Sequence, residues 1–202
     1  RLHWLQTKGL LTTKDAQQCS EFKSWFNKID AKSLTLAFPA AYLNSPSSMY
    51  GHTFIRINRK SGSNPLLDYS INYAANADPD DNELVFSYKG LSGGYPGVFS
   101  VLPYYEKVTE YSFLEARDVW EYALNLTEEE VAQFVRHTWE IKSTYFDYYF
   151  FNENCSYHLL CFCNSYPRQS GVCKAVDSQL VIFLPPRVLC RYPLLLTLIL
   201  SA

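Results

Sequence analysis

The chain lacks the features that mark several protein classes. Its 202 residues carry a formal net charge of only -2, which argues against nucleic-acid binding through a basic surface. The terminal apolar run, Leu194–Leu200, is far below the roughly 18 residues that a membrane-spanning helix needs, so it is interpreted as a buried element or an abnormal tail. Residue 1 is Arg rather than Met, so the absence of a targeting segment says nothing about location.

Cysteine is too sparse for a small disulfide scaffold. The six cysteines are Cys19, Cys155, Cys161, Cys163, Cys173 and Cys190. Four of them follow position 160, where the composition changes: from Phe162 to the end there is one acid, Asp177, and no Glu. This break predicts one domain over residues 1–161 and a divergent tail over 162–202. An aberrant C-terminus is one hypothesis for the tail.

Aromatic residues, in contrast, are abundant, and 16 Tyr and 13 Phe suit strands and broad apolar clefts. Alternating or capped patterns predict the following elements: helices Asp15–Ile29 (capped by Asp15) and Glu128–Tyr145, and strands Ser33–Phe38, Tyr50–Asn58, Leu66–Tyr73, Val98–Tyr105 and Val119–Leu124. The second helix has the clearest signal, because Thr127 and Glu130 form a capping-box pattern. The glycine-rich segment Gly90–Gly97 is predicted to be an exposed loop. The fold class is therefore α+β, with an antiparallel sheet packed with helices.

Cys155 is the candidate nucleophile. The segment Phe151–Leu160 (FNENCSYHLL) places Asn154 at a plausible helix N-cap and Cys155 in the first turn. The positive end of a helix dipole favours thiolate over thiol, and the N–H groups there can stabilise an oxyanion. A small buried cysteine beside a capping Asn is the plainer interpretation of this segment taken alone.

His52 is the candidate general base. It follows Gly51 near the start of a predicted strand. A cysteine enzyme needs a histidine close to its thiolate, and the two residues are usually far apart in sequence and meet in the fold. Such an imidazole is usually oriented by a third group. The returning strand offers Asn72, Asp68 and Tyr69, and Asn72 is preferred because it lies on the strand best placed to flank His52.

Two rival sites use some of the same residues. Cys155, His158, Cys161 and Cys163 are zinc-ligand types, but their spacing does not match a usual zinc knuckle and drifts around a helix. A serine nucleophile at Ser48 is weaker still, because no G-x-S-x-G elbow is present. No metal and no cofactor is therefore expected.

The sequence resembles the Lnb-type N-terminal periplasmic domain family between about Ser33 and Leu160. Six blocks in a fixed order carry the resemblance: Ser45–Ile57 (SPSSMYGHTFIRI), Leu66–Ala75 (LLDYSINYAA), Gly90–Gly97 (GLSGGYPG), Arg117–Thr127 (RDVWEYALNLT), His137–Glu140 (HTWE) and Phe151–Leu160 (FNENCSYHLL). Each block alone is a weak signal. Beyond Leu160 the sequence departs from the family's usual continuation.

This resemblance implies a periplasmic enzyme associated with the membrane of a Gram-negative envelope. It implies a permuted papain-like fold similar to the NlpC and lecithin:retinol acyltransferase group, in which the histidine strand precedes the cysteine helix. The implied reaction moves an acyl chain from a phospholipid to the N-terminal cysteine of a lipoprotein, so the expected partners are a phospholipid donor, a lipoprotein acceptor and a membrane surface. His52 and Cys155 match the catalytic pair, with Asn72 as the inferred third member. Asn154, Ser156 and Ser48 are the candidates for substrate or oxyanion binding.

Two alternatives stay open at this point. One is a cell-wall amidase or peptidase that uses the same Cys–His pair on a polar substrate, for which a solvent-filled groove is expected. The other is a non-catalytic envelope binding module, which requires Cys155 and His52 to lie far apart or to face away from each other. The separation of these two side chains is the observation that best distinguishes an enzyme from a binding module.

Overall fold

A computed structural model describes residues 5, 8–10, 19–40, 52–62, 64–151 and 153–164, with side chains up to 159 in the last helix. The expectations for Asp15, Ser48, Tyr50 and the run Leu194–Leu200 lie outside the described residues. The prediction of an α+β fold with an antiparallel sheet is confirmed.

The described elements include both strands and helices, interspersed along the chain. The helices are α1 (Ser20–Ile29), α2 (Glu83–Ser92), α3 (Tyr104–Val108), α4 (Glu128–Ile141) and α5 (Cys155–Asn164), with a 3₁₀ turn at Pro65–Leu67 and a π-helical turn at Thr109–Leu114. The strands are β1 (Ala31–Pro39), β2 (Phe54–Arg59), β3 (Tyr69–Ala75), β4 (Tyr95–Pro103), β5 (Val119–Ala123) and β6 (Tyr145–Tyr148). Together they give one mixed architecture in which the sheet is the central layer.

The six described strands form one sheet in the order β5-β1-β2-β3-β4-β6, and every neighbouring pair is antiparallel. In the centre, β2 and β3 pair so that Phe54 lies opposite Asn72 and Ile55 lies opposite Ile71. Because Phe54 is the first residue of β2, this register places the preceding residues, His52 and Thr53, beside β3 near Asn72.

The two faces of the sheet carry different layers, as the alternation in β2 predicts. Ile55 and Ile57 belong to the main core, to which α4 and α5 also contribute. Phe54 belongs to a smaller apolar cluster with Ala37, Tyr104 and Tyr111, under α3 and the π-helical turn. The helix α5 packs on β2 and β3, which sets its first residue close to the segment before Phe54.

Several predicted boundaries are wrong in the first half of the chain. The first helix begins at Ser20, because Cys19 is extended and its side chain makes no capping hydrogen bond. The second strand begins at Phe54, so His52 and Thr53 precede it. The returning strand starts at Tyr69 rather than Leu66, because Asn64 accepts a hydrogen bond from the Leu66 N–H and starts a 3₁₀ turn at Pro65.

The glycine-rich segment is not an exposed loop, and this prediction is wrong. Asn82 caps α2 by accepting a 2.9 Å hydrogen bond from the Val85 N–H, and the helix continues through Gly90 to Ser92. Gly93 ends it with a left-handed backbone (φ 78°), a conformation that glycine adopts without steric cost. The strand β4 then begins at Tyr95, earlier than the predicted Val98.

The capping box that opens α4 is confirmed. The Thr127 hydroxyl accepts a hydrogen bond from the Glu130 N–H at 3.3 Å, and the Glu130 carboxylate accepts one from the Thr127 N–H at 2.8 Å. The helix ends at Ile141 rather than near Tyr145, because Tyr145 already pairs with Val98 in β6. The sheet therefore gains an edge strand that the sequence did not predict.

Replacing Gly90 by alanine is expected to destabilise the fold. A Cβ atom at this position would lie 2.2 Å from the ring of Phe150, which is buried in the main core. The clash is expected to outweigh the roughly 1 kcal/mol of helix propensity gained, and to lower the free energy of unfolding by about 1–3 kcal/mol. Urea unfolding measures the change. Ser87→Ala in the same helix is the control, with a change within about 0.5 kcal/mol, and equal effects would contradict the packing role.

Candidate functional site

Cys155 is the first residue of α5 and is 4 % exposed. Asn154 accepts a hydrogen bond from the Tyr157 N–H at 3.2 Å, as an N-cap residue does, and its amide nitrogen donates to the Phe150 carbonyl at 3.1 Å. The thiol therefore lies at the positive end of a capped helix. Both polar atoms of the Asn154 side-chain amide are thus hydrogen-bonded to backbone groups, and Asn154 fixes the start of the helix. Its predicted role in substrate binding gains no support from these contacts.

His52 and Asn72 lie together, as the returning strand predicted. The distance between His52 Nε2 and Asn72 Oδ1 is 2.5 Å. An amide oxygen only accepts hydrogen bonds, so Nε2 carries the proton and donates it. The neutral imidazole then has Nδ1 as its unprotonated nitrogen, which is the atom that a base needs.

The imidazole of His52 and the thiol of Cys155 are hydrogen-bonded to each other and act on each other's charge. Burial raises the pKa of the Cys155 thiol, but the positive charge and hydrogen bond of His52 outweigh burial and lower that pKa from 9.0 to about 7. Burial lowers the pKa of His52, but the Cys155 thiolate and the hydrogen bonds to Cys155 and Asn72 raise it above its usual 6.5. The pair therefore favours thiolate and imidazolium near neutral pH.

Two neighbours complete the environment of the sulfur atom. The Thr53 backbone and the Ser156 hydroxyl both hydrogen-bond to Cys155 and help to lower the pKa of its thiol. The Ser156 hydroxyl also lies 2.8 Å from the Thr53 hydroxyl, and both residues are buried. This contact ties the start of α5 to the segment that carries His52. Ser156 thus lies at the site, as predicted, whereas Thr53 was not predicted.

Tyr148 is a second site residue that the sequence did not predict. Its side chain is 6 % exposed, and its hydroxyl is hydrogen-bonded to both the backbone and the side chain of Cys155. Burial and the nearby thiolate raise the pKa of Tyr148, so its hydroxyl stays protonated and can donate. Its place depends on the pairing of β6 with β4, in which Tyr148 lies opposite Tyr95. No local pattern around Tyr148 carries that information.

A cavity of about 200 Å³ opens beside the imidazole. Its polar lining is formed by His52, Asn72, Lys107, Glu110 and Glu115, and its apolar and aromatic lining by Ala74, Ala75, Ala77, Phe86, Tyr111 and Tyr148. Lys107 is nearly buried and forms an ion pair with Glu110 at 2.7 Å. The cavity therefore reaches the His52 side of the Cys–His pair between charged and aromatic walls, and Cys155 itself is not part of its lining.

The other residues considered in the sequence have different surroundings. Asp68 accepts a hydrogen bond from the Arg59 N–H at 3.2 Å and lies 3.9 Å from the Arg56 guanidinium, so it belongs to a charged cluster rather than to His52. Tyr69 lies in β3 opposite Ile57 and Pro103. Ser48 lies outside the described residues. Among the three residues considered for orienting the imidazole, Asn72 is the one with a hydrogen bond to it.

His158, one turn after Cys155, is not part of this cluster. Its ring centroid lies 4.4 Å from that of Tyr73 and 5.1 Å from that of Phe146, and burial lowers its pKa from 6.5 to about 4. The imidazole is thus neutral and packs among aromatic rings. Within the part of the chain that the structure describes, no group of three or more metal-ligand side chains lies together. The side chains of Cys161 and Cys163 lie outside that part.

Fold and site together define an α+β domain that holds a buried thiol, an imidazole and an amide at one end of an antiparallel sheet. The chain belongs to the Lnb N-terminal periplasmic domain family, whose profile matches residues 21–177. This confirms the resemblance noted in the sequence and makes the chain a periplasmic domain. The match extends beyond 161, and the division of the chain there stays a prediction.

No curated protein and no solved structure matches the chain. Among the described residues, no helix combines the length and apolar character needed to cross a bilayer.

Proposed function

We propose that this domain is a thiol-dependent acyltransferase that moves an acyl chain from a phospholipid to the N-terminal cysteine of a lipoprotein. The observation that supports it best is the contact between Cys155 and His52, which lowers the thiol pKa to about 7, with Asn72 orienting the imidazole. A helix-start cysteine beside a histidine oriented by an amide is a recurring arrangement of acyl-transfer enzymes. The adjacency of the two side chains favours an enzyme over a non-catalytic binding module.

The order of the parts along the chain supports the proposal of a permuted papain-like fold. Asn72 lies in β3 and His52 in the segment just before β2, and the helix that carries Cys155 follows them instead of preceding them. In the papain-like arrangement the cysteine helix packs on an antiparallel sheet that supplies the histidine, and α5 packs on β2 and β3 in that way. We therefore propose the permuted papain-like fold for this domain.

In the first half of the reaction, the Cys155 thiolate attacks the carbonyl carbon of a glycerol ester. The Tyr148 hydroxyl lies beside the sulfur and is a donor available to the oxyanion. The bond between the carbonyl carbon and the glycerol oxygen then breaks, and the His52 imidazolium gives its proton to that oxygen. The lysophospholipid leaves, and the acyl chain stays on Cys155 as a thioester.

In the second half, the α-amine of the acceptor attacks the thioester carbon. His52, now neutral, takes the proton that the amine loses, and the carbon–sulfur bond breaks to restore the thiolate. The product is an amide on the acceptor. The two half-reactions require no redox change, and the residues of the site supply each proton transfer.

The cell-wall amidase or peptidase is the second candidate. The charged part of the cavity lining, Lys107 with Glu110 and Glu115, is the observation that favours it, because such groups suit a polar substrate. The first half-reaction distinguishes the two, since only an acyltransferase forms a long-chain thioester on Cys155.

Incubation with phosphatidylethanolamine vesicles is therefore expected to add the mass of one fatty acid minus water to the protein, on the peptide that contains Cys155. Intact and peptide mass spectrometry measure the adduct, and hydroxylamine is expected to remove it because it is a thioester. A matched incubation with Cys155→Ala is the control and is expected to stay unmodified. A wild-type protein that never carries the adduct, but cleaves peptidoglycan fragments, would support the amidase instead.

A further inference from the structure

Two large apolar side chains face solvent in a segment that lies between two residues of the cavity lining. Phe113 is 79 % exposed and Leu114 is 78 % exposed. They belong to the segment between Tyr111 and Glu115, both of which line the cavity. Consecutive Cα atoms are 3.8 Å apart, so the Cα atom of Phe113 lies at most about 7.6 Å from that of either lining residue. The exposed pair therefore lies next to two residues of the cavity lining, and we call Phe113 and Leu114 the exposed apolar pair.

The segment is anchored at both of its ends. Tyr111 is 5 % exposed, and its ring stacks on Phe54 at 5.9 Å between centroids. Arg117 donates its backbone N–H to the Tyr111 carbonyl at 2.9 Å, and its guanidinium pairs with Glu115 at 2.7 Å. The fold therefore holds Phe113 and Leu114 at the protein surface.

The volume of the cavity limits which part of a phospholipid can enter it. Sites that enclose a drug-sized ligand have volumes of roughly 300–1,000 Å³, and the cavity beside His52 has about 200 Å³. A phospholipid with two acyl chains exceeds that space. If the donor is a phospholipid, as the proposed function states, only the ester region enters, and the chains stay in a bilayer held against the mouth.

We infer that Phe113 and Leu114 form a membrane-docking surface that inserts into the interfacial layer of a phospholipid bilayer and places the cavity mouth against it. The inference rests on the proposed function, because the donor sets the size argument. Aromatic and leucine side chains in contact with the headgroup boundary gain the free energy of leaving water. Docking would let the ester reach Cys155 without extraction of the whole lipid from the membrane.

Vesicle co-sedimentation of the full chain tests the docking surface directly. With vesicles of phosphatidylethanolamine and phosphatidylglycerol, the variant Phe113→Ser/Leu114→Ser is expected to bind at least about tenfold more weakly than the wild type. The matched control is Leu84→Ser/Tyr88→Ser, which removes two other exposed apolar side chains (84 % and 72 % exposed) from α2. The control is expected to bind as the wild type does. Equal losses in the two variants, or no loss in either, would overturn the inference.

A rate comparison separates docking from chemistry. Acylation of Cys155 is measured with vesicles and with dihexanoyl phosphatidylcholine below its micelle concentration. The Phe113/Leu114 variant is expected to lose at least about tenfold more rate with vesicles than with the dispersed lipid, and an unchanged ratio would count against docking. Phe113→Trp keeps an interfacial aromatic and is expected to retain vesicle binding. If neither lipid acylates wild-type Cys155, the proposed function fails, while sedimentation still decides whether this surface binds a bilayer.

Discussion

The variant Cys155→Ser is expected to form acyl product at least about 10⁴-fold more slowly than the wild type, the scale of loss when one member of a catalytic triad is disabled. The thiol has its pKa lowered to about 7, so near neutral pH much of it is thiolate. A serine hydroxyl in the same place stays protonated and is a much poorer nucleophile. Acyl transfer from a phospholipid to a peptide with an N-terminal cysteine, followed by mass spectrometry, measures the rate.

The matched control for this substitution is Cys19→Ser. Cys19 is the other cysteine described as free, and it is exposed at the start of α1. The control is expected to keep the wild-type rate, and both variants are expected to keep the wild-type melting temperature because the exchange is nearly isosteric. A Cys155→Ser protein with a rate within tenfold of the wild type would exclude covalent catalysis at this position.

The variant His52→Gln is expected to raise the pKa of Cys155 and to slow its alkylation at pH 7 by about fiftyfold. The imidazolium lowers the thiol pKa against the opposing effect of burial. Without the imidazolium, the pKa of Cys155 is expected to rise from about 7 to at least the ordinary 9.0. The thiolate fraction at pH 7 then falls from one half to about one hundredth. Iodoacetamide labelling between pH 5 and 10, followed on the peptide that contains Cys155, gives the pKa as the midpoint of the rate.

The direction in which the midpoint of the labelling rate moves shows whether His52 lowers the thiol pKa. In the wild type the labelling rate is expected to rise through about pH 7, and in the variant it rises at pH 9 or above. His137→Gln is the control, since His137 lies in α4 and is not among the groups that shift the Cys155 pKa. The same midpoint near pH 7 in wild type and His52→Gln would show that the imidazole does not activate the thiol.

Local signals allowed much of this structure to be predicted. The Thr127 capping box and the Asn154 cap each depend on a few neighbouring residues, and both helices begin where the sequence indicates. The pairing of His52 with Asn72 was also accessible, because a turn between two alternating segments makes them adjacent antiparallel strands. Most of the site can therefore be predicted from two local features: the β2–β3 pair, which places His52 beside Asn72, and the start of α5, which carries Cys155.

Other features depend on contacts between distant segments, which a single sequence does not show. Gly90 was interpreted as a loop residue, but it lies inside α2, where the Phe150 ring occupies the space of a Cβ atom. Tyr148 reaches Cys155 because β6 joins the sheet edge beside β4, and no periodicity in that aromatic-rich segment predicts the pairing. Tertiary packing overrode local propensity at both positions.

The order of the strands has a consequence for when the thiol becomes reactive. The strand β5 closes the far edge of the sheet at Ala123, and His52 and Asn72 lie earlier still, so these parts are synthesised before Cys155. Domains fold as cooperative units, and contacts between distant segments form late. The thiol is therefore activated only when α5 packs on the sheet and brings Cys155 to His52. Enhanced reactivity of Cys155 at neutral pH would thus mark the molecules that have finished folding.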